Sequence, residues 1–199
     1  MANRYAADPF SRAVAWLRRP RSKAVECAWI FVFAAVGAFT IRAQVLEARY
    51  IPSRSMEPTL RIDDRLLVEK IGAHFWVPKR GDILVFNPPP LANDIHNALI
   101  KRVIGLPGEK VAIHAGKVWI NGKPLNEPYV MEGPKYPEPD WERLGMPNGL
   151  VPLRGLFMMG DNRNNSQDSH VFGPVPIDNV VGHPFLRFWP PASVGRIWH

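Results

Sequence analysis

The chain has 199 residues, of which 46% are hydrophobic, enough for one globular domain with a core and one accessory segment. Its net charge of +7 suggests nucleic-acid binding. However, residues 1–23 alone hold six of the 25 basic residues and one of the 18 acidic ones. The rest of the chain, with 19 basic and 17 acidic residues, is therefore nearly neutral. We therefore expect no nucleic-acid partner. The single cysteine, Cys27, excludes an intramolecular disulfide and a cysteine-based zinc site.

A nearly continuous apolar run, CAWIFVFAAVGAFTI, extends from Cys27 to Ile41. With Ala24 and Val25 it reaches about 18 residues, and a helix needs about 20 to cross a bilayer. The alternatives are a cleaved secretory signal, but no small-residue cleavage site follows Ile41, and a buried core helix, which needs a larger domain around it. We predict a transmembrane helix over residues 24–41, with the basic block 1–23 in the cytoplasm and a domain of residues 42–199 outside.

From residue 50 onward the sequence is typical of short β-strands joined by turns. Apolar runs bounded by turn residues occupy 65–70, 81–86, 99–113 and 156–162, and a Leu-Pro-Gly turn divides the third run. Asn121-Gly122, between two β-prone runs, is a strong hairpin signal. No sustained helical period follows residue 50, so we predict a mainly antiparallel β domain with short connections.

Two later segments depart from this pattern. Residues 131–155 are dominated by proline, glycine and charge, and we predict a loop or a small insertion there. Residues 183–199 mix aromatic residues with Arg187 and Arg196. They form either a tail packed on the domain or an interfacial patch that contacts membrane lipid, since Trp and Arg suit the headgroup zone.

Common catalytic and binding motifs are absent from the sequence. It contains no Gly-x-Ser-x-Gly, no His-Glu-x-x-His and no phosphate-binding glycine loop. The six histidines are scattered singly, so we predict no metal and no cofactor. A Ser-His-Asp triad stays open at this point, because triads assemble in space and not along the chain.

A candidate nucleophile lies in the segment IPSRSMEPTL, residues 51–60. Pro52 cannot donate a ladder hydrogen bond and stiffens the end of a strand. A serine at such a corner has a fixed Oγ direction and an exposed backbone N–H, which a nucleophile and an oxyanion donor require. The alternative is an ordinary turn, and the segment alone does not decide between the two.

A candidate base for that serine is Lys101, in LIKRVIG. Because side chains alternate along a strand, Lys101 shares a face with Leu99 and Val103 while Arg102 points the other way. Either its amine reaches water or it is desolvated; in the second case its pKa falls and it can accept a proton from serine. A third segment, GDNRNNSQDSH at 160–170, is either a capped surface loop or a polar scaffold that positions the base.

The ordered set IPSRSMEPTL, GDILVF, IKRVIGLPGEKV and GDNRNNSQDSH, preceded by the apolar run, resembles type I signal peptidases over residues 50–125 and 156–182. The resemblance implies a partly barrel-like catalytic domain of antiparallel sheets, and a membrane-bound serine endopeptidase that removes signal peptides from exported preproteins. It also implies cleavage after small residues, typically Ala-x-Ala, at the outer face of the membrane. We expect a monomer whose partners are signal peptides and membrane lipid.

The same resemblance implies roles for individual residues. Ser55 matches the nucleophile, Lys101 the base, and Ser53 the serine whose hydroxyl joins the Ser55 N–H in the oxyanion hole. Ser166 matches the serine that hydrogen-bonds to the lysine and orients it. The residues that match polar support are Asp161, Arg102 and Asp168, and those that match shallow pockets for small substrate side chains are Ile51, Pro52, Leu60 and Ile100.

The sequence also departs from the family pattern. His170 stands where many members have arginine, which makes its pairing with Asp168 pH-dependent, and Arg54 stands where glycine is frequent. Residues 131–155 are too short for the second β domain of larger members, and the cysteine pair of some members is absent. The stretch RYIPSRSMEPTL is similar to cyanobacterial and plastid members, so plasma (inner) and thylakoid membrane both stay open.

Two other functions remain as alternatives. One is a self-cleaving Ser-Lys regulator of related fold, disfavoured because an apolar run replaces any helix-turn-helix signal. The other is an inactive membrane-anchored module that binds exported peptides, disfavoured because Ser55 and Lys101 are both present.

Overall fold

The computed structural model describes residues 22–70, 77–92 and 95–197. The chain divides into two compact units, Met1–Arg42 and Ala43–His199. The helices are α1, Lys23–Gln44, and α2, Ser169–Phe172, with short 3₁₀ turns at Pro147–Gly149, Arg163–Asn165, Ile177–Asn179 and Pro191–Ser193. The strands are β1 Leu46–Tyr50, β2 Arg65–Glu69, β3 Ile83–Phe86, β4 Leu99–Gly105, β5 Val111–His114, β6 Lys117–Ile120, β7 Lys123–Pro124, β8 Gly155–Met159, β9 Val175–Pro176, β10 Val180–Trp189 and β11 Gly195–Arg196.

The larger sheet has eight strands in the order β1-β2-β10-β3-β4-β8-β9, with β11 paired to β10. A second sheet of three strands has the order β5-β6-β7. Every strand pair in the two sheets is antiparallel. The predicted mainly antiparallel β fold is therefore confirmed.

The strands predicted from apolar runs form at the predicted places. In β2, Leu66 and Val68 are buried while Arg65 is exposed, as expected for a strand with one face in the core. Asn121 and Gly122 both have positive φ, 51° and 77°, which matches the left-handed conformation that a two-residue hairpin turn requires. Apolar runs and turn chemistry thus place these strands, although β3 and β8 are buried along their whole length and do not alternate.

The C-terminal segment takes a more central position than a tail. β10 lies between β2 and β3, and so joins the strand after the candidate nucleophile to the hairpin that carries Lys101. Pro184 is buried in this strand, where the pairing with β2 shifts register. Such an irregularity accommodates a residue that cannot donate a ladder hydrogen bond.

Residues 131–154, all described, form a loop with one 3₁₀ turn, and Leu150 of this loop makes an isolated bridge to Lys110.

The predicted helix over residues 24–41 forms within α1, and the residues described from 22 to 39 are exposed. In the part of the chain that the structure describes, no helix has both the length and the apolarity needed to cross a membrane. The predicted transmembrane helix is therefore not confirmed. The predicted cytoplasmic segment 1–23 lies almost entirely outside the described residues.

Candidate active site

Ser55 lies on a compact corner between β1 and β2. The corner closes through hydrogen bonds from the Ile51 N–H to the Asp64 carbonyl at 2.9 Å and from the Leu60 N–H to the Met56 carbonyl at 2.9 Å. The side chains of Ile51, Met56 and Leu60 are buried in one apolar cluster, which fixes the corner from beneath. Ser55 is itself 7% exposed. The predicted rigid serine corner is therefore present.

Lys101 and Ser55 meet directly. Lys101 lies in β4 opposite Leu84 of β3, with 3% of its surface exposed. Its Nζ donates a hydrogen bond to Ser55 Oγ at 2.5 Å. The Ser53 hydroxyl lies on the other side, 3.3 Å from Ser55 Oγ. The structure thus brings together the predicted nucleophile, base and second serine.

The buried amine of Lys101 is easier to deprotonate than a free lysine. Burial lowers its pKa to about 8, because the charged form loses its hydration. The carboxylates of Asp168 and Asp161 act in the opposite direction and raise the pKa, but more weakly. At pH 7 about a tenth of the amine is therefore neutral and free to accept a proton, whereas a free lysine is almost entirely protonated.

Arg102, on the opposite face of β4, anchors this strand to the 160–163 turn. Its Nε and Nη2 donate to the two carboxylate oxygens of Asp161 at 2.8 and 2.6 Å, and both residues are buried. Nη1 donates to the Gly81 carbonyl at 2.7 Å, and Thr59 Oγ1 donates to Asp161 at 2.5 Å. The pair ties β4 to the nucleophile corner through Thr59.

Asp168 is a fully buried carboxylate next to the site. It accepts hydrogen bonds from the Gly160 N–H at 2.8 Å and from the His170 N–H at 3.2 Å, and it lies 2.7 Å from His170 Nδ1. Burial alone would raise the pKa of Asp168, but the contacts with His170 and Gly160 outweigh it and hold the pKa below its usual range. The His170 ring also stacks on Tyr136, with centroids 4.0 Å apart.

Ser166 lies beside Lys101 in the cleft, but the predicted hydrogen bond between them is not formed. Its Oγ is buried and has no partner in hydrogen-bonding geometry among the described residues, although it is close enough to Asp168 to lower that carboxyl's pKa.

The side chain of Arg54 is 66% exposed, and its Nε lies 4.0 Å from the Glu57 carboxylate.

A cleft of about 530 Å³ opens over the Ser55–Lys101 pair. None of the predicted pocket residues lines it: Ile51 and Leu60 are buried in the core, Ile100 packs on the same cluster, and Pro52 is exposed. Apolar side chains and side-chain amides form the wall. The lining residues are Ser53, Ser55, Ile95, Leu99, Lys101, Asn164, Asn165, Ser166 and Gln167.

Several residues that hold the site were not predicted. The Asn162 N–H donates to the Ser55 carbonyl at 3.1 Å, and its Nδ2 donates to the Arg54 carbonyl at 3.1 Å. Arg163, fully buried, donates to both carboxylate oxygens of Glu127. The one sequence signal for the Arg163–Glu127 contact was an arginine inside a tight turn, because a guanidinium that becomes buried requires an acidic partner elsewhere in the chain.

In the described residues, no group of three or more histidine, cysteine or acidic side chains is placed to hold a metal ion. The chemistry available in the cleft is that of a hydroxyl beside a desolvated amine, which is the arrangement of an activated serine nucleophile.

The family model described as "Signal peptidase, peptidase S26" matches residues 24–189. The chain belongs to this family. It is 45% identical over 182 residues to "Signal peptidase I" of Leptolyngbya laminosa, covering 89% of this chain and 84% of that one. It is also 46% identical over 180 residues to "Probable signal peptidase I-2" of a Synechocystis strain, covering 89% and 79%.

A plant relative extends the similarity. "Thylakoidal processing peptidase 1, chloroplastic" of Arabidopsis thaliana is 35% identical over 195 residues, which is 92% of this chain and 54% of that protein. The signal peptidase family and the similarity to cyanobacterial and plastid members, both expected from the motifs, are thereby confirmed. The chain is an enzyme of the serine peptidase class.

Proposed function

We propose that this enzyme removes N-terminal signal peptides from exported preproteins with Ser55 as nucleophile and Lys101 as general base. The observation that carries the proposal is the 2.5 Å contact between Lys101 Nζ and Ser55 Oγ, with the amine buried and its pKa lowered to about 8. A protonated lysine is a poor base, and burial removes that obstacle. The names of the cyanobacterial relatives support the class of substrate.

The first half-reaction forms an acyl-enzyme. Neutral Lys101 takes the Ser55 proton while Ser55 Oγ bonds to the scissile carbonyl carbon. The resulting oxyanion accepts hydrogen bonds from the Ser53 hydroxyl and from the Ser55 N–H. Among the described residues the Ser55 N–H has no acceptor, so it is available to the oxyanion. As the tetrahedral intermediate collapses, the peptide C–N bond breaks and Lys101 returns the proton to the leaving amine.

The second half-reaction releases the signal peptide. Lys101, neutral again, takes a proton from a water molecule, whose oxygen attacks the ester carbonyl of Ser55. Collapse breaks the ester bond, and the proton on Lys101 passes to Ser55 Oγ. One lysine thereby serves both steps, and neither step requires a second base.

We also propose cleavage after small residues of the Ala-x-Ala type. The resemblance to the family supports this, and so does the cleft wall, where Ile95 and Leu99 leave an apolar space beside Ser55. The Asn165 and Gln167 amides on the cleft wall are suited to an extended peptide backbone. The roles of Asp161, Arg102, Asp168 and Ser166 as support belong to the same proposal. Ile51, Pro52, Leu60 and Ile100 do not line the cleft and are not part of it.

We propose in addition that residues 42–199 work as the catalytic domain at the outer or lumenal face of a plasma or thylakoid membrane. The basic block 1–23 before an apolar helix supports this, as does the name of the thylakoidal relative. Fractionation of the native source, followed by a cleavage assay on each membrane, separates the two locations. A C-terminal reporter that proves cytoplasmic would contradict the orientation.

The dyad is tested with S55A and K101M, assayed on a preprotein with an Ala-x-Ala site. Both should lose cleavage, and an acylating inhibitor should label the wild type at Ser55 but not S55A, as read by mass spectrometry of the peptide that contains Ser55. Cleavage by either variant would contradict the mechanism. A wild-type enzyme that binds the preprotein without cutting it would favour the inactive binding module instead.

A further inference from the structure

A chain of contacts outside the cleft joins Arg102 of β4 to the 160–163 turn. Arg102 Cζ lies 4.0 Å from the centre of the Tyr129 ring, in cation–π geometry. The Tyr129 hydroxyl donates to Glu127 Oε1 at 3.1 Å, and Glu127 accepts from Arg163 Nη1 and Nη2 at 2.8 and 2.5 Å. Arg163 Nε then donates to the Gly160 carbonyl at 3.0 Å. We call Glu127 and Tyr129 the 127–129 brace.

The brace is built as a buried structure and not as a surface ion pair. The Arg163 side chain is fully buried and Glu127 is 10% exposed. Burial raises the pKa of Tyr129, so its hydroxyl stays protonated and remains a donor to Glu127. Buried charge pairs with satisfied hydrogen bonds have a defined geometry, whereas exposed pairs do not hold one arrangement.

The turn that the brace holds is the one that holds the nucleophile. Asn162, between Asp161 and Arg163, donates its N–H to the Ser55 carbonyl and its Nδ2 to the Arg54 carbonyl, both at 3.1 Å. Lys101, in contrast, is fixed by β4, the strand that carries Arg102. The position of Ser55 relative to Lys101 therefore depends on how the turn is tied to β4, directly by the Arg102–Asp161 pair and, in addition, through the brace.

From these contacts we infer that Glu127 and Tyr129 are positioning residues for the peptidase reaction, acting through the Asn162 turn to hold Ser55 Oγ within reach of Lys101. The inference rests on the proposed Ser55–Lys101 mechanism. Neither residue lines the cleft. Their loss should therefore change the catalytic step and leave the binding of substrate intact.

The first test compares Y129L with Y129F, using kcat and KM on one preprotein at a temperature well below the midpoint of each variant's thermal unfolding. Y129L removes the ring from Arg102 and should lower kcat by roughly tenfold or more, since a misplaced reacting group costs up to about 100-fold, while KM stays the same. Y129F keeps the ring on Arg102 but loses the hydrogen bond to Glu127, so its kcat should lie between those of Y129L and the wild type.

A second test uses E127Q with E109Q as the matched control. Glu109 also pairs with an arginine, Arg80 at 2.5 Å, and is 19% exposed, and its other carboxylate oxygen accepts from the Leu106 N–H at 2.8 Å and not from a residue of the 160–163 turn. E127Q should lower kcat and the rate at which a small acylating inhibitor labels Ser55, whereas E109Q should change neither. The acid limb of the kcat/KM pH profile should keep its midpoint, because the brace does not contact the amine.

The outcomes separate this inference from the proposed mechanism. If S55A is inactive but Y129L and E127Q have wild-type kcat and only unfold at lower temperature, the brace supports the fold alone and the inference is wrong. A raised KM with unchanged kcat would likewise contradict it, since positioning of Ser55 acts on the catalytic step. Activity in S55A would overturn the mechanism and this inference with it.

Discussion

Lys101 Nζ and Ser55 Oγ lie 2.5 Å apart although the two residues are separated by 46 positions in the chain. β4 supplies the amine and the corner after β1 supplies the hydroxyl. Each is fixed by its own set of contacts: the amine by the β3–β4 pairing, the hydroxyl by the apolar cluster under the corner and by Asn162. The following predictions depend on this relationship.

The rate of cleavage should follow the neutral fraction of Lys101. Its pKa of about 8 predicts that kcat/KM rises with pH and levels off above pH 8, with the acid limb centred near that value. Rates on a peptide substrate from pH 5 to 10, with enzyme stability checked at each pH, measure the limb. A profile that is flat between pH 6 and 9 would contradict Lys101 as the base.

Removing the Asp168 charge should move that limb to lower pH. The carboxylate raises the pKa of Lys101, so D168N should lower it below about 8. The variant also loses an acceptor for Gly160 and His170, and it should be less stable than the wild type. The control is D178N. The Asp178 carboxylate forms an exposed pair with Arg154, so its removal should leave the acid limb in place. A limb that stays or rises in D168N would contradict the prediction.

K101M should be inactive but more stable than the wild type at neutral pH. The pKa of Lys101 is about 8 in the folded chain against 10.5 for a free lysine, so between these values only the unfolded chain holds the proton. The free energy of unfolding of the wild type therefore rises with pH across this window, and below it the lysine costs roughly 3 kcal/mol.

Methionine removes this cost at similar volume, and the lost hydrogen bond to Ser55 offsets part of the gain. We expect K101M to gain about 1–3 kcal/mol at pH 7, with the difference shrinking toward pH 10. Urea unfolding at several pH values measures it. A K101M variant less stable than the wild type at pH 7 would mean that the amine is well solvated in the folded chain.

A methyl group at Gly160 should disrupt the site. An added Cβ there would overlap the Ser55 carbonyl oxygen and the Ser166 side chain. The Ser55 carbonyl belongs to the backbone and cannot yield without moving the nucleophile corner. We expect G160A to lose most of its activity and about 1–3 kcal/mol of stability. At Gly195 a Cβ meets nothing within 4 Å, so G195A should behave as wild type in both assays. Normal turnover by G160A would show that the corner adapts.

Loss of the Ser53 hydroxyl should slow acylation without removing the nucleophile. S53A should lower kcat by roughly 10²- to 10³-fold, the usual effect of deleting one oxyanion donor, with a smaller change in KM. Ser53 Oγ lies 3.3 Å from Ser55 Oγ, so the same hydroxyl also borders the nucleophile. S53T, which keeps a hydroxyl, should recover part of the rate. Equal rates for S53A and the wild type would remove Ser53 from the oxyanion hole.

The sequence by itself determined the features that depend on neighbouring residues. Apolar runs bounded by turn residues placed β2, β3 and β4, and the Asn121-Gly122 pair placed a hairpin. The alternation of side chains along a strand put Lys101 on an apolar face. These features are local, because the period of a strand and the φ preference of a turn residue act within a few positions.

Only the tertiary structure decided which distant segments meet. It placed β10 inside the sheet and the pair of Lys101 and Ser55 at hydrogen-bonding distance. It also brought Glu127 to Arg163, a contact that no local pattern predicts because an arginine's partner is set by packing and burial. The sequence determined the chemical groups and the strands that carry them, and the fold decided the distances at which those groups react.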